Sequence, residues 1–146
     1  PAGLSQVIAV AAGDGFSLAL RADGTVVGWG RNANGESSPP AGLSGVTAIA
    51  AGSTHSLALR FDGTVVAWGS TNYSATAVPS GLSGVIRIAA GDQHSLALRT
   101  DGTVYARIIG ELAAEFGADV VVGFSMGGNI ASRAWPLSQA RSDSAA

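Results

Sequence analysis

The chain has 146 residues, 47% of them hydrophobic and only 12% charged, with 21 glycines and a net charge of −2. Many glycines and few charges exclude a disordered chain and a helical bundle, and fit a β protein rich in tight turns. Lysine is absent and the arginines are scattered, so no clustered cations are offered to DNA or RNA.

The absence of cysteine rules out disulfides, zinc ribbons and thiol catalysis. No run approaches the roughly 18 apolar residues of a membrane span. The chain opens at Pro1 without a methionine or a signal peptide, which reads as a trimmed or mature fragment of unassigned compartment.

Pro1-Ala-Gly-Leu-Ser5 returns as Pro40-Ala-Gly-Leu-Ser44 and as Pro79-Ser-Gly-Leu-Ser83, a period of 39 residues without gaps. Within each copy three short strands are expected. Residues 7–11 form an apolar run, residues 16–21 a second, and residues 25–29 a third ending at Trp29. Asp23-Gly24, Asp62-Gly63 and Asp101-Gly102 separate the second run from the third, and Asp-Gly is a strong hairpin signal. Gly13, Gly52 and Gly91 close the first run. Trp29 and Trp68 are expected to pack at the blade ends. A unit of three or four strands cannot bury both faces alone, so the repeat predicts a solenoid or a propeller. The expected units are 1–39, 40–78 and a truncated 79–106.

Gly52, His55, Ser56, Leu57, Ala58, Leu59, Asp62, Gly63, Val65, Trp68 and Gly69 resemble the repeat of the regulator of chromosome condensation (RCC1) family of β-propellers. The short period and the Val78-Pro79 to Ser83-Gly84-Val85 linker resemble the bacterial members, of the β-lactamase-inhibitory type. The resemblance implies a mainly β fold, an incomplete propeller of about three blades. It also implies a scaffold that binds proteins, though the family's functions are diverse. The chain departs from the pattern at Phe16, where the other copies have His55 and His94, and at Arg107, where tryptophan is due.

Beyond residue 106 the repeat stops, and a C-terminal α/β appendage is expected over 107–136. Ile108, Ile109, Leu112, Ala113 and Phe116 fall on one helical stripe over 108–116, with Gly117 as its cap. Val120–Phe124 reads as a buried strand, and Asn129–Trp135 as a helix stopped by Pro136. Gly123-Phe-Ser-Met-Gly127 between them resembles the nucleophile elbow of α/β-hydrolases. Ser125 is then the candidate nucleophile, with the Met126 amide as oxyanion donor. No histidine follows it, so a base must come from His55 or His94. Residues 137–146 read as a mobile tail. A junction inside a blade reads as a chimera of two gene pieces.

The two histidines are also read as buried ties between strands, and Asp23, Asp62 and Asp101 as turn residues. The segments between blades vary while the framework repeats, which is where binding usually resides. Arg31, Glu36, Asn72 and Tyr73 are the candidate contacts, Tyr73 being the best anchor type. Asp14 and Asp92 recur at one turn with too few carboxylates nearby for a metal, and no cofactor is expected. Open blade faces predict a homo-oligomer, most simply a dimer pooling its blades into one ring. Three functional readings follow: a protein-binding scaffold, a serine hydrolase of esters or lactones, and a recombined fragment without evolved activity.

Overall fold

The computed structural model describes residues 1–72, 75–107 and 114–116, with side chains described as far as residue 104. Ten strands make up the regular structure of these residues. The first sheet holds β1 (Val7–Ala12), β2 (Phe16–Arg21) and β3 (Val26–Gly30). The second holds β4 (Val46–Ala51), β5 (His55–Arg60) and β6 (Val65–Gly69). The third adds β7 (Val85–Ala90), β8 (Ser95–Arg99), β9 (Val104–Arg107) and β10 (Ala114–Phe116). Each sheet is an antiparallel meander, and β1 to β9 fall within a residue of the runs read from the repeat.

Each Asp-Gly pair turns its hairpin as expected. The Asp23 carboxylate accepts from the Thr25 amide at 2.9 Å and from its hydroxyl at 2.6 Å, and Asp62 and Asp101 repeat this on Thr64 and Thr103. Gly24, Gly63 and Gly102 lie at φ of 78°, 77° and 82°, where a side chain is strained. The turn also touches the following blade. Val46 donates to the Gly24 carbonyl and Val85 to that of Gly63, each at 3.2 Å.

The blades stack face to face. Phe16, Leu18 and Leu20 of β2 pack on Val46, Ala58 and Trp68 of the second blade. Leu59 of β5 packs on Val85 and Ala97 of the third. Period-2 alternation thus sends Leu18 and Leu20, and then Leu57 and Leu59, into the following blade. A bulge recurs at the same place in each first strand, after Val7, Val46 and Val85.

The helix expected over 108–116 is overturned where it is described. Ala114–Phe116 is β10, paired antiparallel with β9 as Ala114↔Ala106, Glu115↔Tyr105 and Phe116↔Val104. The outer edge of β9 offers a row of unpaired backbone groups that another strand can satisfy. A nine-residue helix has no comparable stabilisation of its own. Residues from beyond the expected boundary at 106 therefore complete a four-stranded third sheet. The elbow, the strand and helix around it and the tail lie outside the described residues.

Candidate functional site

The segments between blades start at one end of the stack. Arg31 donates its amide to the Gly15 carbonyl at 2.7 Å, and Ser70 does the same to Thr54 at 2.9 Å. The turns after β1, β4 and β7 gather at this end. Asp14, Ser53 and Asp92, with Gly13, Gly52 and Gly91, line an open groove of about 520 Å³. Ser53 donates its amide to the Asp92 carbonyl at 3.1 Å, tying the second turn to the third. Among the described residues no group of three or more His, Cys, Asp or Glu side chains is placed to hold a metal.

Arg31 organises the first inter-blade segment. Its Nε donates to Glu36 Oε1 at 2.8 Å and its Nη1 to Asp14 Oδ2 at 2.8 Å. Glu36, expected among the contact residues, has no solvent-accessible surface. Its other oxygen accepts from the Asn34 amide. Burial works to raise the Glu36 carboxyl, but the bonds from Arg31, its own amide and Asn34 outweigh it, so Glu36 ionises below the ordinary carboxylate range. The same pair raises Arg31, chiefly through Glu36 and further through Asp14. Glu36 thus shapes the segment from within, while Arg31, half-buried, reaches the surface beside Asp14.

The second segment replaces Arg31 and Glu36 with Ser70 and Ala75. Ser70 Oγ accepts from the Asn72 amide at 3.2 Å, and the Asn72 side chain is exposed. Tyr73 lies outside the described residues. An apolar cavity of about 30 Å³ opens beneath this segment, lined by Leu57, Val65, Ala75, Leu82 and Ala97 with Ser95 at its polar side.

His55 is fully buried, and its Nε2 lies 3.0 Å from Ser95 Oγ. The tie between strands expected of it therefore runs between blades. Burial foremost, then repulsion from His94, hold His55 below its ordinary pKa, with Asp92 opposing. His94 is half-buried on the same position of the third blade. Ser125 and Met126 lie outside the described residues, and His55 is committed to Ser95.

Ser56, Ser95 and Trp68 were not singled out as site residues. Ser56 Oγ donates to the Glu36 carbonyl at 2.7 Å, and Trp68 Nε1 to the same oxygen at 3.0 Å. Ser95 Oγ donates to the equivalent Ala75 carbonyl at 2.9 Å. Each serine pins the inter-blade segment onto the next blade. Their signal was present in the invariance of Ser17, Ser56 and Ser95 across the copies.

No protein of curated function matches the chain. Among solved structures, Prp20p from Saccharomyces cerevisiae, studied for its binding to Gsp1p and histones, is 25% identical with a TM-score of 0.61, over 72% of this chain and 32% of that one. Yeast RCC1 (Prp20) bound by Kap60 is 27% identical with a TM-score of 0.58, over 68% and 29%. Human WBSCR16, 22% identical with a TM-score of 0.62 over 78% and 41%, shares the fold. The chain therefore spans about a third of the length of the yeast structures. The regulator of chromosome condensation (RCC1) repeat matches residues 7–36, 46–74 and 85–107, more than half of the chain. With three blades in the register of that repeat, the chain belongs to the RCC1-repeat family.

Proposed function

We propose that the chain is a propeller-repeat scaffold that binds proteins at the end of the stack where the inter-blade segments emerge. The observation that carries this is the contrast between the two segments. The framework around them repeats, while Arg31 and Asn72 differ in kind and both reach the surface. A constant frame with variable, pinned loops is how rigid scaffolds present binding residues. The likeness to Prp20p, whose structure was studied with its binding to Gsp1p and histones, supports the same reading. The test is affinity capture with the whole chain beside Arg31→Ala/Asn72→Ala. Proteins held by the parent and lost by the variant support the proposal. Equal capture by both overturns it.

Self-association is part of the same reading. On β1, Val7, Ile8 and Val10 are 38%, 63% and 73% exposed, an apolar strip on an extended strand, and such strips mark interaction surfaces. We assign it to a second copy, in a dimer that pools blades. Light scattering that returns a monodisperse monomer overturns this part alone.

A further inference from the structure

The two seams between blades share their leucines and serines, and among their differences is the buried ring that the earlier blade presents to the later one. Blade 1 presents Phe16 to blade 2, and blade 2 presents His55 to blade 3. Phe16 needs no partner. His55 has one, and its bonding fixes its protons. The single hydroxyl proton of Ser95 goes to the Ala75 carbonyl at 2.9 Å, so Ser95 Oγ accepts from His55 Nε2–H at 3.0 Å. Nδ1 is then bare, and it is buried without a hydrogen-bond partner among the described residues. Gly52 lies flat against that side of the ring, and a Cβ there would collide with Cε1.

We infer that the seam between the second and third blades is an acid-sensitive joint, loosened by a second proton on His55, while the Phe16 seam stays closed. A proton on Nδ1 would enter a dry site with no acceptor. The charged groups acting on it offer little relief. From the turn before β8, His94 repels a cationic His55, and Asp92 attracts it more weakly. From the segment of the first blade, the Glu36 carboxylate is already engaged by Arg31 and the Asn34 amide. From the segment of the second, Ala75 offers only a carbonyl, which Ser95 uses. Opening the seam lets Nδ1–H reach water. The open state therefore binds more protons than the closed one, and opening becomes more favourable as pH falls below the ordinary histidine value of about 6.5.

Hydrogen exchange of the full chain between pH 7 and pH 5, corrected for intrinsic rates, tests this. One proton per opening gives at most about a tenfold rise in the opening constant per pH unit. Protection of β7 and β8 should fall by up to that factor, with β1 and β2 unchanged. His55→Phe copies the first seam and should abolish the fall. Phe16→His should transplant acid sensitivity to the first seam. His94→Gln should leave the response in place. Loss of the response in His94→Gln, its persistence in His55→Phe, or equal behaviour of the two seams overturns the inference. Should His55→Phe not fold, Phe16→His decides: an unchanged first seam overturns it.

Discussion

Ser56 and Trp68 meet on one acceptor. Ser56 Oγ and Trp68 Nε1 approach the Glu36 carbonyl from two neighbouring strands, at 2.7 Å and 3.0 Å. Both side chains are buried, and a carbonyl has two lone pairs to offer. Removing either donor leaves the oxygen satisfied by the other. Ser56→Ala and Trp68→Phe should each cost about 1 kcal/mol, the usual net worth of one hydrogen bond. The double variant strands a buried carbonyl and should cost about 1 kcal/mol more than their sum. Urea denaturation of the four proteins measures that excess, and strict additivity refutes the shared-acceptor account.

A charged side chain at the heart of the first segment makes stability depend on pH. The Glu36 carboxyl titrates below its ordinary value of about 4.5. Its contribution is therefore complete above the unfolded value and is lost as pH falls through the folded one. Glu36→Gln removes that term. The gap in stability between parent and Glu36→Gln should be widest near pH 7 and should narrow below about pH 4.5. Removing the partner instead, in Arg31→Ala, should cost about 1–3 kcal/mol at pH 7, because it leaves a buried carboxylate with fewer donors. A pH-independent gap for Glu36→Gln would show that the carboxylate is not ionised in the fold.

The blades were legible because each repeat states its hairpin locally. Asp62-Gly63 turns the chain, and Leu57 and Leu59 alternate to one face, whatever lies elsewhere. Glu36 was not legible. A glutamate between Gly35 and Ser37 reads as a solvated loop residue, and its burial depends on the Arg31 guanidinium together with the Asn34 amide and its own. The bulge after Val7, Val46 and Val85 was hidden for another reason: it is a property of two paired strands, and no single run carries it. β10 escaped because a three-residue strand has no period to read. Its pairing depends on the free edge of β9.

Gly52 was read as a turn glycine, and the structure gives it a different role. Its φ lies outside the left-handed region that marks Gly63 and Gly69. What excludes a side chain is the His55 ring, which occupies the space a Cβ would need, with the Gly91 carbonyl 2.5 Å from that point. Gly13 meets Phe16 and Gly91 meets His94 in the same way. Gly52→Ala should therefore destabilise by about 1–3 kcal/mol through overpacking, as read by thermal melting. Gly52→Ala combined with His55→Ala should cost less than the sum of the two single changes, since one of the two obstacles is gone. Equal melting temperatures for Gly52→Ala and the parent would refute the packing role.

Gln6 breaks a rule that the other two copies obey. It is the one non-glycine among the described residues at positive φ, 55°, and the equivalent Gly45 and Gly84 both lie at 66°. The conformation is imposed from outside. Ala22 donates to the Gln6 carbonyl at 2.8 Å, as Phe61 and Thr100 donate to those of Gly45 and Gly84. A side chain in this region costs about 1–2 kcal/mol. Glycine relieves that strain but returns about 0.5–1 kcal/mol through the greater freedom of the unfolded chain. Gln6→Gly should therefore stabilise the protein by a few tenths to about 1 kcal/mol. The reverse change, Gly45→Gln, should cost little beyond that strain. A Cβ at Gly45 would sit 2.8 Å from the Phe61 ring, which must swing away, and that ring is 80% exposed and free to move. Chemical denaturation of both variants decides the point, and a destabilised Gln6→Gly would mean that the Gln6 side chain contributes contacts worth more than its strain.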